Sequence, residues 1–199
     1  MYCLILAVSP GKRSNPMKAA EAVASSLEHE GHKAELVWIN DNDAGFCVAC
    51  EHHCNREWPG FCYHKKTPMD TLGDKIIAAD RIIFITPTCS WYYPIPLKAL
   101  INRIVISFSD YYGKAKAVEV WSDKKVALAA VCPFSNKKEA VMFNKIMLQH
   151  CKSCHITPID TMMQLQDMFP LRFLDRINQQ KITTFTEAIC QKEDQQKAV

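Results

Sequence analysis

Apolar positions along the chain fall into two alternating rhythms. Strand-like apolar runs occupy residues 2–8, 34–39, 81–86, 125–131 and roughly 155–160. Such runs, unbroken by regular polar positions, mark strands covered on both faces, as in parallel sheets. Between them, residues 16–30, 68–79, 95–107, 136–151 and 172–190 space their apolar side chains three and four apart and predict helices. The first helix shows the period well, with Ala20, Val23, Ala24 and Leu27 on one face and Glu21, Glu28 and Glu30 elsewhere. Gly31 follows where a left-handed cap is expected, and the chain turns directly into the next strand.

Strand–helix alternation implies right-handed crossovers and a parallel sheet with helices on both sides, an α/β three-layer sandwich. Five strands in 199 residues point to the flavodoxin-like order 2-1-3-4-5, and the length suits one domain over 1–199 built on one core. Residues 40–67 interrupt the rhythm after the second strand. They are too long, polar and cysteine-rich for an ordinary connection and are expected to be a functional insertion. The polar tail QKEDQQKAV at 191–199 is expected to fray.

Composition narrows the class. Apolar residues make up 48% and charged residues 23%, ordinary globular usage that points away from disorder. A formal charge of +3, spread along the chain, argues for neither a nucleic-acid nor a membrane partner. The opening Met-Tyr-Cys-Leu-Ile-Leu-Ala-Val lacks a basic leader and reads as a buried strand, and no apolar run approaches the ~18 residues of a membrane span. Ten cysteines without a secretory signal are expected in a reducing, cytoplasmic setting, where they serve metal, redox chemistry or packing.

Two strand ends carry candidate chemistry. After the first strand, Ser9-Pro10-Gly11-Lys12-Arg13-Ser14-Asn15-Pro16-Met17 combines short polar side chains, a glycine that permits unusual backbone angles and a helix start, which together suit an anion such as a phosphomonoester. A Walker A loop is excluded, because Leu6 stands where glycine is required and Arg13 where Ser or Thr must follow the lysine. The alternative is a plain polar turn with Asn15 as helix cap and Pro16 as first helical residue. After the third strand, Thr86-Pro87 opens into Thr88, Cys89 and Ser90 beside Trp91, Tyr92 and Tyr93, before a helix begins around Pro96. Small polar groups beside aromatics suit the edge and face of a flat heteroaromatic ring such as a flavin, and parallel sheets bind ligands at these strand ends.

With these loops, the chain resembles the flavodoxin-like NAD(P)H-dependent FMN reductase superfamily, in particular its iron-sulfur flavoprotein branch. VSPGKRSNPMKA is similar to the family's Gly-Ser-Pro-Arg-x-x-Gly/Ser-Asn-Thr, and Met69-Asp70 with Ile76-Ile77-Ala78-Ala79-Asp80 leads into IIFITPT. Residues Pro96-Leu97-Lys98-Ala99-Leu100-Ile101-Asn102-Arg103 are similar to the family's Pro-x-Lys-x-Phe-Ile-Asp-Arg, and the cysteine insertion is shared. The resemblance implies that Ser9, Lys12, Ser14, Asn15, Pro16 and Met17 surround the FMN phosphate. It further implies that Pro87, Thr88, Cys89, Ser90 and Trp91 line the isoalloxazine, and that Cys132 to Asn136, including Ser135, close the far side. Three positions depart from the pattern: Gly11 replaces the family's Arg, Pro16 its Thr, and Cys89-Ser90 an aromatic pair.

The implied activity is transfer of electrons from NAD(P)H through FMN to a quinone, flavin or other small acceptor, with the chemistry carried by the cofactor and no side-chain acid or base nominated. A homodimer or homotetramer is implied as well. The insertion offers Cys47, Cys50, Cys54 and Cys62 at spacings Cys-x2-Cys-x3-Cys-x7-Cys, a set of thiolates suited to a [4Fe-4S] cluster or zinc, with unmetallated thiols as the third reading. Two alternatives therefore stand beside the FMN oxidoreductase: an iron-sulfur electron carrier with a ferredoxin-like partner, and a flavodoxin-like module with structural zinc. Cys151-x-x-Cys154-His155 resembles the c-type haem attachment motif but falls at the start of an expected buried strand.

Overall fold

A computed structural model describes residues 1–40, 69–89, 92, 94–108, 121, 123–132, 137–153, 157–166 and 173–191. Its elements run β1 (Tyr2–Val8), α1 (Asn15–His29), β2 (Lys33–Ile39), α2 (Met69–Ala78), β3 (Arg81–Pro87), α3 (Ile95–Phe108), β4 (Lys125–Cys132), α4 (Lys137–Ser153), β5 (Thr157–Gln166) and α5 (Arg176–Cys190). The five strands form one sheet in the order β2-β1-β3-β4-β5, with every pairing parallel. The flavodoxin-like α/β fold expected from the alternation is the fold observed. The cysteine insertion lies outside the described residues.

The unbroken apolar runs are explained by two cores. Leu4, Leu6 and Val8 of β1, Ile82 and Phe84 of β3, and Val126, Leu128 and Ala130 of β4 face the cluster that α2, α3 and α4 cover. The alternate residues Cys3, Ile5, Ala7, Ile83, Ile85, Ala127 and Ala129 face the cluster covered by α1 and α5. Side chains alternate across a strand, so a sheet buried on both sides needs an apolar residue at every position. In α3, Leu97, Leu100, Ile101 and Ile104 recur at helical spacing and are each at most 5% exposed, while Lys98 points outward.

Helix ends are fixed locally. At the end of α1, Gly31 takes φ +80, its N–H donates to the Glu28 carbonyl, and the His32 N–H donates to the Leu27 carbonyl. This is the paired bonding of a Schellman cap, which requires a residue at ease in the left-handed region. Helix α5 starts at Arg176, four residues later than expected, because Asp175 caps it by accepting from the Asn178 N–H at 2.8 Å. Strand β5 also differs from expectation, running Thr157–Gln166 with a register shift opposite Val126 and Leu128. A bulge breaks the period of two that marks a strand in sequence.

Strand β1 leads out to β2 on one side of the sheet, and the chain returns through β3 on the other. The carboxyl ends of β1 and β3 therefore flank the point where the winding reverses, the place where open α/β sheets leave a crevice.

Candidate functional site

A cavity of about 470 Å³ opens at that reversal, within the range of small-molecule sites. One wall is the β1–α1 loop with the first turn of α1, from Val8, Ser9 and Pro10 through Arg13, Ser14, Asn15 and Pro16 to Lys18. The facing wall is Pro87 and Cys89 at the end of β3, with Pro94 and Pro96 at the start of α3. Five of the lining residues are prolines. Each fixes its φ and lacks an N–H, so the walls are stiff and apolar and offer few backbone donors. Polar recognition falls to side chains.

Ser14 supplies the clearest of these. It is the N-cap of α1, yet its hydroxyl makes no capping bond, and Oγ is buried without a hydrogen-bond partner. Burying a hydroxyl unpartnered costs about 1–3 kcal/mol, so this oxygen is open to a hydrogen bond with a ligand on the cavity wall. Lys18 N–H makes the first helical bond, to the Ser14 carbonyl at 3.1 Å. Pro16 removes one of the helix-start amides before it, leaving Arg13 and Lys18 as the cations on the wall. Arg13 is exposed and has no ion pair among the described residues. The dipole of α1 adds positive potential at the same end.

The loop is organised from within. Ser9 is 4% exposed, its Oγ donates to the Gly11 carbonyl at 2.9 Å, and it accepts from Trp38 Nε1 at 3.1 Å. Gly11 lies outside the left-handed region, and a Cβ there would meet nothing within 4 Å. Its small size is therefore not demanded by the backbone, contrary to the reading of Gly11 as a source of unusual angles. The alternative assignment of Asn15 as cap is corrected too, since Ser14 occupies that position.

The structure brings Ser9, Ser14, Asn15, Pro16, Pro87 and Cys89 to one cavity. Lys12 is not on its wall: the ammonium lies 5.2 Å from the centre of the Trp38 ring, and the neighbouring Arg13 lines the cavity. The Met17 side chain packs into the core beneath α1, and Cys132 is fully buried in the opposite core. Thr88 is 6% exposed; its N–H donates to the Val131 carbonyl at 3.2 Å, and its Oγ1 is buried without a partner. Cys89 and Tyr92 exchange backbone bonds of 3.0 and 2.9 Å that close a tight loop. Ser90, Trp91, Ser135 and the four cysteines Cys47, Cys50, Cys54 and Cys62 lie outside the described residues.

Among the described cysteines, Cys89 is exposed, whereas Cys3, Cys132 and Cys151 are buried. Burial, with the charge of Cys190 behind it, pushes the Cys3 thiol up to about 11. No group of three or more His, Cys, Asp or Glu placed to hold a metal occurs among the described residues. Sequence reasoning did not single out Lys18, Pro94 or Pro96 for the site. Only the proximity of α1 to the start of α3 in the fold reveals them.

A parallel sheet in this order, with a cavity at its winding reversal, defines the flavodoxin-like class of α/β proteins. Within that class the chain belongs to the NADPH-dependent FMN reductase family, whose model matches residues 1–167. This is a family of FMN-dependent oxidoreductases. An iron-sulfur flavoprotein from Methanosarcina thermophila is 32% identical over 98 residues, 49% of this chain and 49% of that protein, so the match spans about half of each. An NAD(P)H:quinone oxidoreductase from Methanothermobacter marburgensis has a similar structure, with TM-score 0.74, 19% identity, and coverage of 96% of this chain and 98% of that one. An apo NADH:FMN oxidoreductase gives TM-score 0.65 at 12% identity, covering 98% and 91%. The described residues contain no helix long and apolar enough to cross a membrane.

Proposed function

We propose that the cavity between β1 and β3 holds FMN and that the protein passes electrons from NAD(P)H to a small-molecule acceptor such as a quinone. The observation that carries this reading is the buried, unpartnered Ser14 Oγ on a wall that also holds Arg13 at the start of α1. A phosphate accepts from both side chains, at the positive end of the α1 dipole, so the residues present fit the cofactor. Thr88 Oγ1 is a second unpartnered donor, on the loop that leaves β3. When bound, FMN supplies the two-electron chemistry. The chain's own work is to neutralise the phosphate with Arg13, donate from Ser14, and hold the cofactor between stiff proline walls. Fixed walls lower the ordering cost of binding.

A second reading is favoured by Cys47, Cys50, Cys54 and Cys62 and by the likeness to an iron-sulfur flavoprotein. In it the insertion carries a [4Fe-4S] cluster or zinc, and electrons leave one at a time toward a ferredoxin-like partner. One experiment addresses both. Anaerobically purified protein is titrated with FMN, flavin, iron and zinc are counted per chain, and NADPH oxidation is followed with and without a soluble benzoquinone. Flavin bound one per chain, with quinone-dependent NADPH oxidation, is expected. Iron in stoichiometric amount with slow oxidation unless ferredoxin is added favours the second reading. A chain that takes up no flavin sinks the FMN proposal.

A further inference from the structure

Trp38 lies at the end of β2, outside the cavity wall, yet its bonds lead into it. Its Nε1 donates to both the carbonyl and the hydroxyl of Ser9, each at 3.1 Å. The Ser9 hydroxyl passes its own proton on, donating to the Gly11 carbonyl at 2.9 Å. That same carbonyl accepts the backbone N–H of Ser14 at 3.1 Å. One continuous path therefore runs from the indole of β2 through Ser9 and Gly11 to the residue whose buried hydroxyl has no partner. The Ser9 N–H also donates to the Ile39 carbonyl at 3.3 Å, which fastens the head of the loop to β2 beside Trp38.

Trp38 also sorts the two loop cations. The Lys12 ammonium stands over its ring at 5.2 Å, a cation–π contact on the β2 side, while Arg13 lines the cavity. The indole thus contacts the loop at Ser9 and at Lys12, on either side of Pro10 and Gly11. A loop fixed in this way presents its polar groups without an ordering cost at the moment of binding.

We infer that Trp38 is a positioning residue for the cofactor's phosphate: it acts through Ser9 and Gly11 to hold Ser14 and Arg13 in place, without touching the ligand. This rests on the FMN reading, and the test separates the two. FMN and riboflavin differ by the phosphate alone, so a residue that acts on the phosphate discriminates between them and a residue that merely supports the fold does not. Trp38→Phe keeps an aromatic ring for packing and for Lys12 but deletes the N–H.

The dissociation constants of both flavins are measured by fluorescence quenching for the wild type and the variant. Trp38→Phe is expected to weaken FMN about fivefold to tenfold, the worth of an ordinary hydrogen bond, and riboflavin by less than about twofold. A loss of equal size for both flavins, or for neither, overturns the positioning role while leaving the FMN reading standing. A wild-type chain that binds neither flavin overturns both. General destabilisation by the substitution moves the two constants together, so their ratio remains a clean readout.

Discussion

The two ends of the sheet treat polar groups in opposite ways. At the amino end, the Tyr2 hydroxyl donates to Glu35 at 2.7 Å, the Lys75 ammonium meets the other Glu35 oxygen at 2.7 Å, and the Tyr2 N–H donates to the Asp80 carboxylate at 2.7 Å. Lys124 Nζ donates to the carbonyls of Ile77 and Ala79 at 2.5 and 2.8 Å, where α2 ends. Among the described residues, one buried side-chain group there lacks a partner, the Nε of Arg81. At the carboxyl end, the Ser14 and Thr88 hydroxyls are buried and unpartnered, and Arg13 has no ion pair among the described residues. Polar groups that bond to one another stabilise the fold, and polar groups left open keep their free energy for a ligand. The difference predicts that substitutions at the two ends separate cleanly into losses of stability and losses of binding.

The largest separation is expected at Arg13. Arg13→Gln removes a charge-assisted donor to the phosphate and should weaken FMN roughly tenfold to a hundredfold, as such bonds are worth about 1.5–3 kcal/mol. Because the side chain is exposed and supports no other element, the urea midpoint should shift by no more than about 0.5 kcal/mol in free energy. Unchanged FMN affinity would break the comparison, placing the phosphate elsewhere.

The converse case is Lys124→Met. It leaves two carbonyls at the end of α2 without their charged donor, which should cost about 2 kcal/mol of stability in urea unfolding. FMN affinity should stay within about twofold, because Lys124 lies at the opposite end of the sheet from the cavity. If the same substitution weakened FMN tenfold, the two ends would be coupled and the division between them lost.

The sheet was largely readable from residue types, because burial on both faces forces apolar residues at every strand position, as in Ile82 to Ile85; the polar pairings at its amino end were not, since Tyr2, Glu35, Lys75 and Lys124 meet their partners only through the fold. Helix α1 was readable for a similar reason, since Gly31 is required by the left-handed backbone that ends it. Strand β5 was legible in place but not in extent, because Pro158 and Asp160 interrupt its apolar run and its register shift breaks the alternation. In the cavity, the loop was legible but its division of labour was not. Lys12 and Arg13 are adjacent cations, and the structure sets Lys12 over Trp38, which sequence presents only as an apolar strand residue, and Arg13 on the cavity wall. Pro96 reads as a helix-start residue, and the place of Pro94 and Pro96 on the wall depends on the starts of α1 and α3 meeting at one end of the sheet from its two faces.

The smallest effect belongs to the Tyr2–Glu35–Lys75 network and is best read through pH. The hydrogen bond from Lys75, and after it the one from Tyr2, hold the Glu35 carboxyl below its ordinary value of 4.5. A carboxylate lowered in the folded state binds fewer protons there than in the unfolded chain, so its contribution is complete above about pH 4.5 and fades as pH falls through the folded value. Urea midpoints of wild type and Glu35→Gln should therefore differ most near neutrality and converge under acid. The gap should not exceed about 1 kcal/mol, because Lys75 and Glu35 are 37% and 34% exposed and water screens the pair. Tyr2 gives the opposite arm: burial first, then the bond and charge of Glu35, raise its phenol, so its share is intact below about pH 10 and lost only at higher pH. Neither arm reaches the cavity, so FMN affinity measured between pH 6 and 8 should be the same in Glu35→Gln as in the wild type, within about twofold. A Glu35→Gln protein whose stability gap widened in acid would show that the carboxylate is not held low by its partners, and the closed character of the amino end would fail at its most accessible point.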